Sequence, residues 1–512
     1  MGRSLPPCYR CLQSIVGNNY KRLALYILLL TYFCYTCYHA SRKPLSVVKT
    51  VLHSPEKKNV DGTSSFGWAP FDNENWSQLL GGLEYIYLFT YAASMVLNGF
   101  LAERVNLRVF LSLGMLLSGV STVTFGLAAY LEIHQYSYFV LIQVRILHSN
   151  FQVFSGLVQA SGWPAVVTLM GNWWGKSRRG LIMGLWNSHT SLGNILGSVI
   201  AGFYVETNWG ASFYLPGVIM IFGSLVVYLT LVEHPIMVDF NAADSDRETT
   251  KTIVLRNTSE SNLSRQMSDK DDMKPLIPNS EASRPISFID AILLPNVFTY
   301  SVLLFFAKLV SYTFLYWLPN YLTIVEHVSA GEAAQLSILF DIGGIVGGVL
   351  IGWLSDAQLN AQNRNADEKT IRRRAFACAV MLACAAPLLL VYRFMTSANS
   401  FISLFVLTCC GAAVNGPYAL VTTAVSADLG TQTALQGRAR ALATITAIID
   451  GMGSLGAALG PLLTGLLVPF GWSVVFSMLI VSDLLALLMS VWIIINSRRR
   501  QKRHGTQSTI RT

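Results

Sequence analysis

Charge is scarce in this sequence. Of its 512 residues, 13% are Asp, Glu, Lys or Arg and 52% are hydrophobic, whereas soluble domains carry roughly 25% charged residues. A water-clothed body of this size is thereby excluded. The chain also has no HExxH, no metal-spaced His/Cys cluster and no GxSxG, which makes an integral-membrane enzyme the weaker reading. Neither metal nor cofactor is expected. Nor is a disulfide framework, because Cys34, Cys37, Cys378, Cys384, Cys409 and Cys410 all stand in apolar runs, with Cys8 and Cys11 beside the first of them. The first run has no small-residue cleavage site and continues into Ser41-Arg42-Lys43-Pro44, so it reads as a retained anchor rather than a signal peptide.

What the chain has instead is apolar blocks, such as Leu23 to Ala40, Leu79 to Ala102, Val109 to Leu131 and Phe213 to Val232. Each is near the ~20 residues that cross a ~30 Å hydrocarbon layer. Lipid offers the backbone no partner, so these runs must be helices. Twelve spans are predicted, beginning near Leu23, Leu79, Val109, Phe139, Gly180, Phe213, Val297, Ala334, Ala375, Phe401, Gly437 and Ser473. The fold class is all-α integral membrane. An even count puts both termini on one side, and the basic residues choose the side. Arg104 and Arg108, Lys176 to Arg179, Arg372 to Arg374, Arg438 and Arg440, and the tail from Arg498 fall in alternate loops, whereas the loops around Glu132, Asn208, Glu326 and Pro469 carry no Lys or Arg. Both termini are predicted cytoplasmic. The net charge of +9 is thus an orientation signal and not a nucleic-acid surface.

The sequence divides into a tail (1–22), a first half (23–234) with an external loop at 46–77, a disordered linker (235–290), a second half (291–496) and a basic tail (497–512). The external loop holds Lys49, Lys57, Lys58 and a glycosylation sequon at Asn75. The halves echo each other. Gly99 to Arg104 follows the second span as Gly352 to Asp356 follows the eighth, and Trp209-Gly210 precedes the sixth as Gly471-Trp472 precedes the twelfth. Glu103, Arg104 and Asp356 are expected as charge-pairing or gating groups at helix ends. A duplicated six-helix unit is the architecture expected. The fourth segment is about two turns longer than a span needs; Gln143-Val144 recurs as Gln152-Val153, and residues 145–153 read as an insertion.

Several motifs, in order, resemble one family. Gly162-Trp163-Pro164, Asn172 to Lys176, Arg179-Gly180 and Trp186-Asn187-Ser188-His189 are similar to the fourth-to-fifth helix region of the organophosphate:phosphate antiporters of the major facilitator superfamily. Tyr38 to Pro44 and Phe306 to Leu322 are more similar still to the eukaryotic sugar-phosphate exchangers. The likeness covers nearly all spans but not the linker or tails. It implies two six-helix halves around a central site and exchange of a phosphorylated sugar or glycerol 3-phosphate, glucose 6-phosphate favoured, for inorganic phosphate. It also implies a multi-pass protein of the endoplasmic reticulum. Small-molecule anions and membrane lipid are then the partners; nucleic acid is not, and no oligomer is required. A proton-coupled symporter of the same fold and a non-transporting sensor stand as alternatives.

Charge inside a span is costly enough to mark function. Arg42 on the first span is the leading phosphate-binding candidate, since a planar guanidinium grips two oxygens at once. Lys43 stands evenly between binding and snorkelling at a helix end. Tyr35, Tyr38 and His39 lie one and two turns earlier, for lining a cavity or for packing. The resemblance places Ser311 where bacterial relatives carry a second Arg; Lys308, one turn earlier on the same face, is expected to bind the phosphate as a point charge, ahead of a purely structural pairing with an acid. The resemblance also assigns phosphate contact to His189. Asp341 or Asp450 is the expected partner of Lys308, with Asp341 holding it when substrate is absent and Asp450 pairing with a cation across the bundle. Glu84 and Asp483 are further acids within apolar spans.

Overall fold

The computed structural model describes residues 5–17, 19–58, 64–102, 105–144, 159–174, 185–238, 288–356, 366–395, 400–430 and 441–510. Helices dominate. After a short α1 (Tyr9–Val16), the Asn19 side chain caps α2 (Tyr20–Arg42) by accepting from the backbone N–H of Lys21 and Arg22. Lys43 keeps helical angles, and Pro44 opens α3 (Pro44–Leu52) at the one position where its missing N–H costs nothing. The two form a single apolar span, Tyr20–Leu52. The loop expected at 46–77 therefore begins at His53, and Lys49 belongs to the apolar span. That is a correction: periodicity does not stop at Pro44, because a first-turn proline continues a helix.

Beyond it, β1 (His53–Lys58) and β2 (Ser64–Gly67) make a short antiparallel hairpin, an addition to the all-α expectation. The first half continues through α4 (Trp76–Ala102), α5 (Leu107–Tyr130), α6 (Tyr136–Val144), α7 (Gly162–Trp173), α8 (His189–Tyr204) and α9 (Ala211–Thr230). The second half holds α10 (Phe288–Ile292), α11 (Val297–Val325), α12 (Ala330–Asp356), α13 (Ala366–Arg393), α14 (Phe401–Leu420), α15 (Ser426–Gly430), α16 (Ala441–Leu467) and α17 (Trp472–Ile510).

Nine helical spans among the described residues are long and apolar enough to cross a membrane. Three predicted spans fall outside that set: α4, α8 and the fourth, of which α6 and α7 are the described ends. The stretch 145–153, Glu103, Arg104 and the side chain of Asp356 lie outside the described residues, as does most of the linker.

The halves meet chiefly where α4 packs against α16 and α8 against α12, and α3 also packs against α11. Each half has its own apolar core, one centred on Tyr38, Met115 and Trp186, the other on Tyr300, Leu304 and Ile449. A further apolar cluster crosses between the halves, with Tyr87 and Leu88 packed against Tyr316, Trp317 and Ala457.

Candidate functional site

On the first span, Tyr35, Arg42 and Lys49 recur every seven residues and share a helical face. The facing helix, α4, presents Glu84, Tyr87 and Tyr91, which are also on one face. Arg42, 8% exposed, donates from Nε to Gln159 Oε1 at 2.6 Å. The Tyr87 hydroxyl donates to the same oxygen, Gln159 Nε2 donates to Ser41 Oγ at 3.3 Å, and the Tyr91 ring centre lies 4.7 Å from the guanidinium carbon. No carboxylate among the described residues forms an ion pair with Arg42. Gln159 was missed by sequence reasoning because a neutral amide in an apolar run carries no charge signal.

Seven residues on, Lys49 is fully buried and pairs with Glu84 at 2.5 Å. Its ammonium sits 3.8 Å from the centre of the Trp317 ring and donates to the Tyr316 carbonyl at 3.3 Å. Lys43, also buried, donates to the Leu315 carbonyl at 3.0 Å. That carbonyl would receive the N–H of residue 319 in an unbroken helix, but residue 319 is proline. The first span thus supplies the donor that α11 lacks. The seven-residue spacing from Arg42 was the available signal for Lys49.

In the second half, Lys308 Nζ meets Asp450 Oδ1 at 2.6 Å, with the Tyr418 ring centre at 5.3 Å. Gly453, one turn past Asp450, makes room: a Cβ there would lie 3.0 Å from Lys308 Cδ. The lysine stem lies along α16 and delivers its charge to Asp450. This corrects two expectations. Asp341 does not hold Lys308; it accepts from Asn194 Nδ2 at 2.9 Å, across the α8–α12 seam. Asp450 pairs within its own half, because α11 and α16 are neighbours. Asp483 is buried on α17.

His189 is fully buried against Trp186, Tyr35 and His39, at ring separations of 4.2, 4.7 and 5.7 Å. Its Nδ1 faces Thr190 Oγ1 at 3.2 Å, and its Nε2 has no hydrogen-bond partner among the described residues. Tyr35 and Tyr38 are buried in the same aromatic layer. A cleft of about 920 Å³, including solvent at its mouth, runs between the halves. It reaches His39, Asn194, Ser311, Asp341 and Asn415, and extends to Gly352 and Arg374 at the end of the bundle where α2 begins. Tyr35, Tyr38 and His189 do not line it. Arg42 lines a separate, smaller cavity of about 440 Å³ with Ser41, Glu84, Tyr87, Gln159 and Tyr316. Arg374, expected only as a loop charge, is buried, pairs with Asp428 at 3.1 Å and donates to Ser355 Oγ at 2.6 Å. Asn75 is exposed just before α4.

Residues 31–446 match the family model described as Major Facilitator Superfamily. The chain is 47% identical over 475 residues to the "Glucose-6-phosphate exchanger SLC37A2" of Bos taurus, covering 91% of this chain and 92% of the relative. It is 42% identical over 543 aligned positions to the "Glucose-6-phosphate exchanger SLC37A1" of Homo sapiens, covering 96% of each. A bacterial homolog of the human lysosomal transporter Spinster, solved inward-facing and unoccupied, superposes with a TM-score of 0.58 at 16% identity, over 93% of this chain and 97% of that one. A D-xylose-proton symporter does so at 0.58 and 12% identity, over 91% and 96%. At such identities the two structures show the fold alone.

Proposed function

Since the chain belongs to the Major Facilitator Superfamily, we propose that it exchanges a phosphorylated sugar for inorganic phosphate by alternating access, with glucose 6-phosphate favoured over glycerol 3-phosphate. The names of its relatives support the substrate class. The observation that carries the reading is Arg42, a buried guanidinium whose partners are an amide and aromatic rings. A buried cation without an anion is costly, and a phosphate dianion supplies the missing charge while accepting two N–H bonds at once.

Lys308 has the complementary part. Its ammonium is neutralised by Asp450 at rest, and substrate phosphate competes for it. His189 and His39 lie beside this path, His39 on the cleft wall and His189 behind it. Lys43 ties the first span to α11. An empty site leaves Arg42 unneutralised, so reorientation is favoured only when a phosphate is aboard, and strict exchange follows.

The test is counterflow. Phosphate-loaded proteoliposomes containing the purified chain should take up labelled glucose 6-phosphate with no pH gradient; a strict need for that gradient would replace antiport by proton symport. The distribution of Arg and Lys supports cytoplasmic termini, and the endoplasmic reticulum is the membrane we favour. Asn75, exposed at the opposite end, is then the glycan acceptor. Endoglycosidase treatment should increase gel mobility, and an unchanged band would remove that assignment.

A further inference from the structure

The position where a second arginine is expected is occupied by Ser311, and its surroundings are built for something other than charge. Ser311 Oγ donates to Asn415 Oδ1 at 2.5 Å, linking α11 to α14. The amide end of Asn415 is in turn brought toward the other half of the protein by Gly344 on α12. A Cβ at Gly344 would stand 2.9 Å from Asn415 Nδ2 and 3.2 Å from Ser191 Oγ, so the missing side chain is what lets a polar pair from opposite halves approach one point. One turn away on the same two helices, Asn194 Nδ2 donates to Asp341 at 2.9 Å. Asn194 is 5% exposed and its Oδ1 is fully buried, with His39 beside it on the cleft wall. All six of these residues line the cleft. Arg42 does not; it lines the smaller cavity.

We propose that Ser191, Asn194, Ser311, Asp341, Asn415 and the space at Gly344 form a polyol subsite, which reads the hydroxyl groups of the substrate while the phosphate is held elsewhere. The chemistry fits a hydroxylated ring. A sugar hydroxyl both donates and accepts, and this group of side chains offers amide donors, amide and carboxylate acceptors, and hydroxyls that do either. A buried acceptor such as Asn194 Oδ1, which has two lone pairs to satisfy, gains free energy on receiving a substrate O–H. Sites that hydrogen-bond a substrate hydroxyl discriminate strongly against ligands lacking it. Inorganic phosphate, which brings no carbon-borne hydroxyl, is indifferent to the subsite. Because the residues come from both halves, a bound ring also spans the seam.

This inference rests on the exchange reading above, and one experiment separates the two. Reconstituted full-length protein is assayed for uptake of glucose 6-phosphate, glycerol 3-phosphate and phosphate into phosphate-loaded vesicles. If the wild type takes up phosphate but no phosphate ester, the exchange reading fails. If it takes up all three, the subsite is tested by Gly344→Ala, which fills the space with one methyl, and by Asn415→Ala, which removes the amide. The expected result is that glucose 6-phosphate uptake falls about tenfold relative to phosphate self-exchange in both variants, with a smaller relative fall for glycerol 3-phosphate. Ratios within twofold of the wild type in both variants would overturn the subsite, whether or not absolute rates fall, since a purely structural role lowers all three substrates together.

Discussion

In the first half a buried guanidinium, Arg42, meets an amide and an aromatic face; in the second half the corresponding ammonium, Lys308, meets a carboxylate at 2.6 Å. The two cations are buried alike and compensated differently. Lys308 carries its counter-charge with it and is neutral as a pair, so its half can sit in the membrane empty or full. Arg42 leaves its half with a net positive interior that an incoming anion completes. A carrier whose two halves were both of the second kind would hold phosphate weakly, and one with both of the first kind would release it slowly.

Removing the fork should have the largest effect on exchange. Truncating one member of a buried, hydrogen-bonded charge pair costs about 2–5 kcal/mol, so Arg42→Ala is expected to lower exchange from roughly thirtyfold to several thousandfold. Arg42→Lys should recover only part of it, since a point charge cannot span two oxygens. Initial counterflow rates at matched protein density check this, and full activity in Arg42→Ala would end the comparison. Next is Lys308→Ala, which strands Asp450 in the bilayer at a cost of about 3–5 kcal/mol. It should depress the melting temperature in detergent, whereas Lys308→Ala combined with Asp450→Ala should restore melting without restoring exchange. Recovery of both would reduce the pair to a structural tie.

The smallest effect is expected from Glu84→Gln. Lys49 keeps the Tyr316 carbonyl and the Trp317 ring, so the loss should be that of one charged hydrogen-bond partner, about 1.5–3 kcal/mol. Thermal melting should report it, and a melting temperature unchanged from wild type would mean that the ring and carbonyl alone suffice.

Hydropathy located the helices because crossing lipid leaves the backbone no alternative, and Arg42 and Lys308 stood out because charge inside such a run is expensive. What escaped has a common cause. Gln159 is neutral and carried no charge signal, and the seven-residue spacing that marks Lys49 was masked by loop-like neighbours past a proline. The choice of Asp450 over Asp341 as partner of Lys308 depended on Gly453 clearing a path along one helix, a fact of packing and not of spacing. Ser311 was legible as a missing arginine, but its bond to Asn415, 104 residues away, was not.

The proline break in α11 has a bearing on how the protein changes shape. Leu315 owes the partner of its carbonyl to Lys43, a residue of the other half, so the backbone of one half is completed by the side chains of its neighbour. Parting the two strips that carbonyl bare at membrane depth, where an unbonded group costs several kcal/mol. Separation on that face cannot be dry: water has to follow the lysine out, and the wetting of one carbonyl becomes part of the barrier between the carrier's two orientations.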